Sequence, residues 1–194
     1  MRILMAIPTF ETITPETFKS IYDIDPCGND LDFEFVKGYD CAKARNVIAQ
    51  IALKLDYDYT LMIDSDVIVP ADTIKLFLDN PVPICFGIYP HKHTTAHEAE
   101  IFKLGTQNYE NRFLYSELTE PRIKVKGAGF GCAFVNTEVF RKLPYPQFQY
   151  VAFDNGAYLS EDLYFCSIAR REGYDLWADT RIRCKHLARY FRSE

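Results

Sequence analysis

The stretch from residue 59 to residue 67 limits the possible folds more than any other part of this sequence. It reads YTLMIDSDV, a short apolar run that ends abruptly in two carboxylates, Asp64 and Asp66. No polar residue alternates through the run, which is typical of a strand buried on both faces of a parallel sheet. Asp64 and Asp66 should then lie at the carboxyl end of this strand, the edge of an open α/β sheet at which ligands bind.

Two carboxylates separated by one residue repel each other unless a positive charge lies between them. A divalent cation with oxygen ligands suits such a pair, and it could in turn hold a diphosphate. The alternative is that Asp64 and Asp66 only end the strand and begin a turn. The run alone leaves both interpretations open.

Strand and helix patterns alternate along most of the chain. Strands are predicted over residues 3–7, 33–36, 59–63, 82–89 and 174–178, and helices over residues 15–22, 42–55, 70–78, 137–143 and 161–172. This alternation predicts an α/β fold with a Rossmann-like, mostly parallel sheet and helices on both faces. We expect a single domain over residues 1–194, with a small polar insertion over residues 91–123, after the fourth strand, that contains short antiparallel strands.

Composition excludes several classes of protein. With 48% hydrophobic and 25% charged residues, the 194-residue chain should be globular. Its net charge of −5 and its dispersed Lys and Arg residues give no indication of a nucleic-acid-binding surface. No apolar run is long enough to cross a membrane, and the apolar part of the N-terminus is too short for a signal peptide. Six cysteines without a CxxC pair favour a reducing cytoplasm.

Three further segments accompany the Asp-ended strand in a fixed order. Ile7-Pro8-Thr9 ends the first strand, Ala44-Arg45-Asn46 begins a helix, and Ser160-Glu161-Asp162 begins the last helix, before Gly173-Tyr174 and Cys184-Lys185-His186. This ordered set resembles the nucleotide-sugar glycosyltransferases of the GT-A fold, close to the family 2 enzymes. The resemblance spans nearly the whole chain except residues 91–123.

The resemblance implies a metal-dependent hexosyltransferase. The donor would be a nucleoside diphosphate sugar, preferably a UDP-sugar, and the acceptor a hydroxyl of a glycan or another molecule, with inversion of configuration. Mn²⁺ or Mg²⁺ would be held by Asp66 and His186, with Asp64 on the metal, a metal-bound water or the ribose; the imidazole favours Mn²⁺. The residues implied to contact the donor nucleotide are Pro8, Thr9, Glu11, Arg45, Asp64 and Ser65.

The same resemblance assigns roles around the acceptor. Asp162 would be the general base and Glu161 would orient the acceptor, with an exchange of these roles left open. The alternative is that both acids only stabilise a helix N-terminus. Gly127, Ala128 and Gly129 would border the acceptor and donor-sugar pocket, or would only permit close backbone approach.

Other residues depart from the family pattern or leave alternatives open. The second predicted strand lacks a terminal acid, for which Asp40 is an uncertain substitute. The histidines near residue 91, which are His91, His93 and His97, could bind structural zinc, although a loop that closes over the donor is the preferred interpretation. Candidates for stacking on a sugar are Tyr109, Phe113, Tyr115, Phe148 and Tyr150.

Two other functions compete with the transferase. A sugar nucleotidyltransferase has a similar sheet, but it normally has a basic, glycine-rich loop after the first strand, where this chain has Pro8-Thr9-Phe10-Glu11. A non-catalytic module that binds a nucleotide sugar or a glycan is the second alternative. The joint presence of Asp64, Asp66, Asp162 and His186 argues against it.

Overall fold

The computed structural model describes residues 1–92, 97–105, 109–154 and 156–187. Its strands are β1 (Arg2–Thr9), β2 (Asp30–Lys37), β3 (Tyr59–Ile63), β4 (Val67–Ile68), β5 (Ile84–Ile88), β6 (Glu98–Phe102), β7 (Arg112–Leu114), β8 (Arg122–Val125), β9 (Gly127–Ala128), β10 (Cys132–Asn136), β11 (Val151–Ala152), β12 (Tyr158–Leu159), β13 (Leu176–Arg183) and β14 (Lys185–His186). The helices are α1 (Pro15–Tyr22), α2 (Cys41–Lys54), α3 (Thr73–Leu78), α4 (Thr137–Lys142) and α5 (Glu161–Arg171), with a 3₁₀ turn at Tyr115–Glu117. None of the described helices has the length and apolar character needed to cross a membrane.

Seven strands form one sheet in the order β2-β1-β3-β10-β5-β13-β8. Five of them run in one direction, while β10 and the edge strand β8 run in the other. The predicted mostly parallel sheet is therefore confirmed. The insertion of β10 between β3 and β5 was not predicted, because an apolar run alone does not reveal its neighbours.

Helices cover both faces of the sheet, as predicted. On one face, residues of α2, α4 and α5 belong to one hydrophobic cluster with Leu4 and Ala6 of β1. On the other face, residues of α1 and α3 belong to a second cluster with Ile3, Met5 and Ile7 of the same strand. The alternation of β1 side chains between the two faces follows from the two-residue period of a strand. Burial on both faces explains why its sequence is almost uniformly apolar.

The parallel strands bring distant parts of the sequence to one edge of the sheet. Ala6 of β1 lies opposite Met62 of β3, so both strands end near the same edge, with β1 extending two residues further. Strands β5 and β13 are parallel to them and end at the same edge. Thr9 at the end of β1, Asp64 directly after β3 and His186 shortly after β13 therefore converge there.

The C-terminal part differs from the prediction. A strand was predicted over residues 174–178. The observed strand, Leu176–Arg183, begins two residues later, is longer and is followed by β14. Polar residues in this strand obscured its pattern. Asp179 is fully buried because Arg122 and Arg181 bind its carboxylate at 2.9 and 2.6 Å.

The polar segment over residues 91–123 contains the short antiparallel strands that the sequence predicted. Strand β6 pairs with β7 and β9 in a separate three-stranded sheet. The predicted end of this segment is too late by two residues, because β8 already belongs to the central sheet. Residues 93–96 and 106–108 of the segment lie outside the described residues.

Candidate active site

A cleft of about 530 Å³ opens at the carboxyl edge of the sheet. The turns after β1, β3 and β5, the start of α2 and the strand β14 each contribute to its lining. The lining residues are Pro8, Thr9, Phe10, Tyr39, Asp40, Cys41, Asp64, Ser65, Asp66, Lys92, Tyr150 and His186. The structure thus brings together in one cleft four predicted donor-binding residues (Pro8, Thr9, Asp64 and Ser65) and the predicted metal ligands Asp66 and His186.

Strand β14 places His186 beside Asp66. It pairs with β4, with His186 opposite Val67, and the amide of Leu187 donates to the carbonyl of Asp66 at 2.9 Å. The imidazole Nε2 then lies 3.5 Å from Oδ1 of Asp66. Its Nδ1 lies 3.0 Å from the carbonyl oxygen of Pro90, which can only accept a hydrogen bond. A proton held on Nδ1 leaves Nε2 available as a ligand, as in most metal-binding histidines.

The second carboxylate oxygen of Asp66 bonds to Lys92. The ammonium of Lys92 forms an ion pair with Oδ2 of Asp66. Burial by itself would raise the pKa of Asp66, but the contacts with His186 and Lys92 lower it to about 2. Asp66 is therefore a carboxylate at neutral pH.

Arg45 links Asp64 to the start of α5. Its guanidinium lies 2.8 Å from Oδ1 of Asp64, and its other terminal nitrogen forms an ion pair with Glu161. The side chain of Arg45 is only 3% exposed, and Arg45 is not among the residues that line the cleft. Burial opposes its charge, but the carboxylates of Asp64, Glu161 and Asp162 raise the pKa of Arg45. The arginine that resembles a nucleotide contact is thus placed as a buried bridge between two acids.

The Arg45 bridge occupies one carboxylate oxygen of Asp64. Within the described ranges, no group of three or more His, Cys, Asp or Glu side chains is close enough to hold a metal ion. The structure therefore brings Asp66 and His186 together, but not Asp64 with them. The two residues can supply one oxygen and one nitrogen ligand, so a bound nucleotide or water would have to provide the others.

Asp162 is held at the first turn of α5. The hydroxyl of Ser160 donates to its Oδ1, as does the amide of Leu163 at 2.7 Å. Ser160 is the N-cap residue, as predicted, but its hydroxyl bonds to Asp162 rather than to the helix backbone. Burial raises the pKa of Asp162 to about 6, with Arg45 opposing the increase and Glu161 adding to it. Glu161 is more buried and is already bound to Arg45.

The glycine-rich segment before β10 accommodates Tyr89. Gly127, Ala128 and Gly129 are all buried and do not line the cleft. A Cβ added at Gly129 would lie 2.0 Å from the hydroxyl oxygen of Tyr89. The amide of Gly131 donates to that hydroxyl at 3.1 Å. These contacts favour the close-approach interpretation of the segment over direct contact with a sugar.

Sequence reasoning did not single out Tyr89, although it follows a strand predicted to end at this edge. Its ring meets that of His186 edge to face, with centroids 5.1 Å apart. Burial, together with the charges of Asp64 and Asp162, raises the pKa of Tyr89 well above its usual value. Tyr89 is therefore a neutral hydroxyl that packs behind the metal-ligand candidate His186.

The remaining candidates have different surroundings. Glu11 is exposed and lies in a separate depression beside Phe35. Asp40 lines the cleft, but its carboxylate caps α2 by accepting from the amide of Lys43 at 2.9 Å. His91 bonds through Nδ1 to Glu100.

The last candidates are the histidines near residue 91 and the aromatic residues proposed to stack on a sugar. The zinc alternative includes His93, and the preferred closing loop includes residues 93–96, all of which lie outside the described residues. Phe148, a candidate for sugar stacking, is 1% exposed and belongs to the core. Tyr150, another such candidate, is 41% exposed at the cleft.

Neither protein-family profiles nor curated protein sequences give a match to this chain. Solved structures do. GalNAc-T7, solved with UDP, GalNAc and Mn²⁺, has a TM-score of 0.66 at 10% identity, over 97% of this chain and 43% of its own. A197 from STIV has a TM-score of 0.65 at 18% identity, over 96% of this chain and 86% of its own.

The fold is of the GT-A type. The predicted resemblance is thereby confirmed for the fold, and the cleft lies where a GT-A sheet presents the carboxyl ends of its parallel strands. The GT-A fold of this chain is also similar to UDP-glucose pyrophosphorylase complexed with UDP-glucose, with a TM-score of 0.52 at 9% identity, over 95% of this chain and 92% of the other. A likeness at this level of identity concerns the fold, and function has to be argued from the cleft.

Proposed function

We propose that this protein is a metal-dependent glycosyltransferase that moves a hexosyl group from a nucleoside diphosphate sugar to an acceptor hydroxyl. The observation that carries the proposal is the Asp66–His186 pair in the cleft. The imidazole of His186 is oriented by the carbonyl of Pro90, and the carboxylate of Asp66 is ionised. GalNAc-T7 was solved with UDP and Mn²⁺, which supports a similar ligand set here.

Asp66 and His186 would hold Mn²⁺ or Mg²⁺, with diphosphate oxygens completing the coordination. A cation bound there would neutralise the charge that develops on the departing diphosphate. Asp64, bound by Arg45, has a partly exposed carboxylate that lines the same cleft, and it would accept from a ribose hydroxyl. Pro8, Thr9 and Ser65 would form the wall against the nucleotide.

Asp162 is proposed as the general base. A carboxylate with a pKa of about 6 is ionised at neutral pH and still basic enough to take a proton from an acceptor hydroxyl. Glu161 fits this role less well, because it is buried and neutralised by Arg45. Attack from the side of α5, opposite the diphosphate, would invert the configuration of the sugar.

The acceptor side is proposed to include an aromatic surface next to α5. Tyr150, directly before β11, and Tyr158, the first residue of β12, stack at 5.8 Å between ring centroids. Both are exposed, and Tyr150 also lines the cleft. An exposed aromatic face of this kind suits the apolar face of a glycan ring. It supports a carbohydrate acceptor over a small polar one.

The decisive experiment measures UDP and GDP binding by calorimetry, with Mn²⁺ and with a chelator. Wild type should bind one of these nucleotides much more tightly with Mn²⁺. Asp66→Asn, which keeps the volume but removes the charge, should abolish the difference. The control Asp40→Asn changes a cleft carboxylate that caps α2, and it should retain the difference. Equal affinity of wild type with and without Mn²⁺ would refute the metal assignment.

A sugar nucleotidyltransferase is the second candidate, favoured by the likeness to UDP-glucose pyrophosphorylase. Against it, the turn after β1 consists of apolar, hydroxyl and acidic residues where that reaction needs positive charge around a triphosphate. Incubation with UDP-glucose, UDP-GlcNAc and UDP-GalNAc should release UDP, through transfer or slow hydrolysis. Release of pyrophosphate from UTP and a sugar 1-phosphate would establish the competing reaction instead.

A further inference from the structure

We propose that Lys92 neutralises Asp66 in the free protein, through the carboxylate oxygen that does not face His186, and leaves it when the cation binds together with the nucleotide. This inference rests on the proposed function. In this inference, Lys92 couples the binding of the metal to the binding of the diphosphate. The residue is a positioning residue, because it acts through Asp66 and through the charge balance of the cleft.

The contacts of Asp66 bring the Lys92 ammonium next to the candidate cation position. One carboxylate oxygen is bonded to the Lys92 ammonium, and the other faces Nε2 of His186 at 3.5 Å. A cation that binds between Asp66 and His186 therefore meets a positive charge that is already in place. Lys92 is 33% exposed and lines the cleft, so its ammonium has room to leave Asp66 without entering the core.

The residue directly before Lys92 is held by hydrogen bonds, so we assign the exchange to the Lys92 side chain. The amide of His91 donates to the carbonyl of Glu98 at 2.9 Å, and its ring bonds to Glu100. Glu100 is also bound by Arg112 at 3.0 Å. The movement can thus consist of rotations of a lysine stem with four methylene groups, which retains its reach into the cleft.

Charge balance gives the exchange its direction. A divalent cation that arrives alone displaces the ammonium and then repels it, because like charges in a partly buried cleft are weakly screened. A cation that arrives with a diphosphate brings anionic oxygens to which the displaced ammonium can bind. Lys92 should therefore weaken the binding of metal alone and strengthen the binding of metal with nucleotide.

The test measures binding rather than turnover. Mn²⁺ binding is followed by electron paramagnetic resonance, without nucleotide and with saturating UDP or GDP, in wild type and in Lys92→Met. In the variant, Mn²⁺ alone should bind about 10-fold tighter and Mn²⁺ with nucleotide about 10-fold weaker, within the usual range of coupling between sites. Lys185→Met removes the same charge from the exposed lysine next to His186 and should match wild type.

The possible outcomes separate this inference from the proposed function. If wild type shows metal-linked nucleotide binding and Lys92→Met shows the same linkage, the exchange is refuted and the proposed function stands. If Lys92→Met lowers both affinities equally, Lys92 is a structural support, which also refutes the exchange. Lys92→Arg, which keeps the charge, should restore the wild-type order of affinities. If wild type itself shows no linkage, the proposed function fails, and the exchange fails with it.

Discussion

Arg45 is the residue on which the geometry of the site depends most. It is buried between Asp64, at the end of β3, and Glu161, at the start of α5, and its guanidinium packs 5.4 Å from the ring of Phe130. Buried pairs add little net stability, but the loss of one partner leaves the other charge buried and uncompensated. The arginine therefore links the end of β3 to the start of α5.

Arg45→Met should destabilise the fold by about 3–5 kcal/mol, because it leaves Glu161 buried without a counter-charge. The double variant Arg45→Met/Glu161→Gln removes that charge as well and should regain part of the loss. Urea unfolding of the wild type, both single variants and the double variant gives the coupling energy directly. A double variant as unstable as the sum of the single variants would contradict the bridge.

If Asp162 is the general base, as proposed, the reaction should depend on pH. Its pKa is raised to about 6, and a general base works only when it is ionised, so the rate should fall as the pH drops through about 6. Asp162→Asn should lower the rate by about 10²-fold or more and remove this limb of the profile. The rate of sugar transfer or donor hydrolysis between pH 5 and 8 tests both statements. An unchanged limb in Asp162→Asn would assign it to another group.

Among the elements, β14 has the largest effect on the site for its size. It has two residues, and it orients His186 by pairing with β4, another two-residue strand. Strands of this length carry no readable period, so the sequence could not predict them. The resemblance indicated His186 as a ligand, and the pairing of β14 with β4 explains how it reaches Asp66.

Leu187→Pro tests this ladder without removing a ligand. Proline lacks the amide that donates to the carbonyl of Asp66 at 2.9 Å, so His186 should lose its fixed position. We expect nucleotide affinity in the presence of Mn²⁺ to fall about 10-fold, the lower range for the loss of a group that orients a metal ligand. Leu187→Ala keeps the amide and should bind like wild type. Equal affinities of the two variants would show that the ladder does not position His186.

For the molecule as a whole, the sequence predicted the layers of helices and sheet better than the order of strands within the sheet. The apolar runs and helix periods of β1, β3, α2 and α5 were sufficient for an α/β fold with helices on both faces. Strand order depends on contacts between distant segments, so the antiparallel position of β10 was not predictable from local patterns. The same is true of the site. Asp64 and Asp66 were placed correctly at a strand end. The Arg45–Glu161 pair was not predicted, because it joins residues 116 positions apart.

The stability of the whole fold should depend on the aromatic cluster behind the base helix α5. Phe148 stacks on Phe165 with centroids 4.9 Å apart and meets Phe130 at 5.0 Å, and it is 1% exposed. Phe148→Ala should therefore cost about 3–5 kcal/mol, the usual range for a buried phenylalanine. Phe18→Ala, at a ring that is 48% exposed, should cost much less. Urea unfolding compares the two variants.

Because the cleft lies at the sheet edge, folded Phe148→Ala should still bind nucleotide with Mn²⁺. Loss of binding before unfolding would show that the cluster also shapes the cleft.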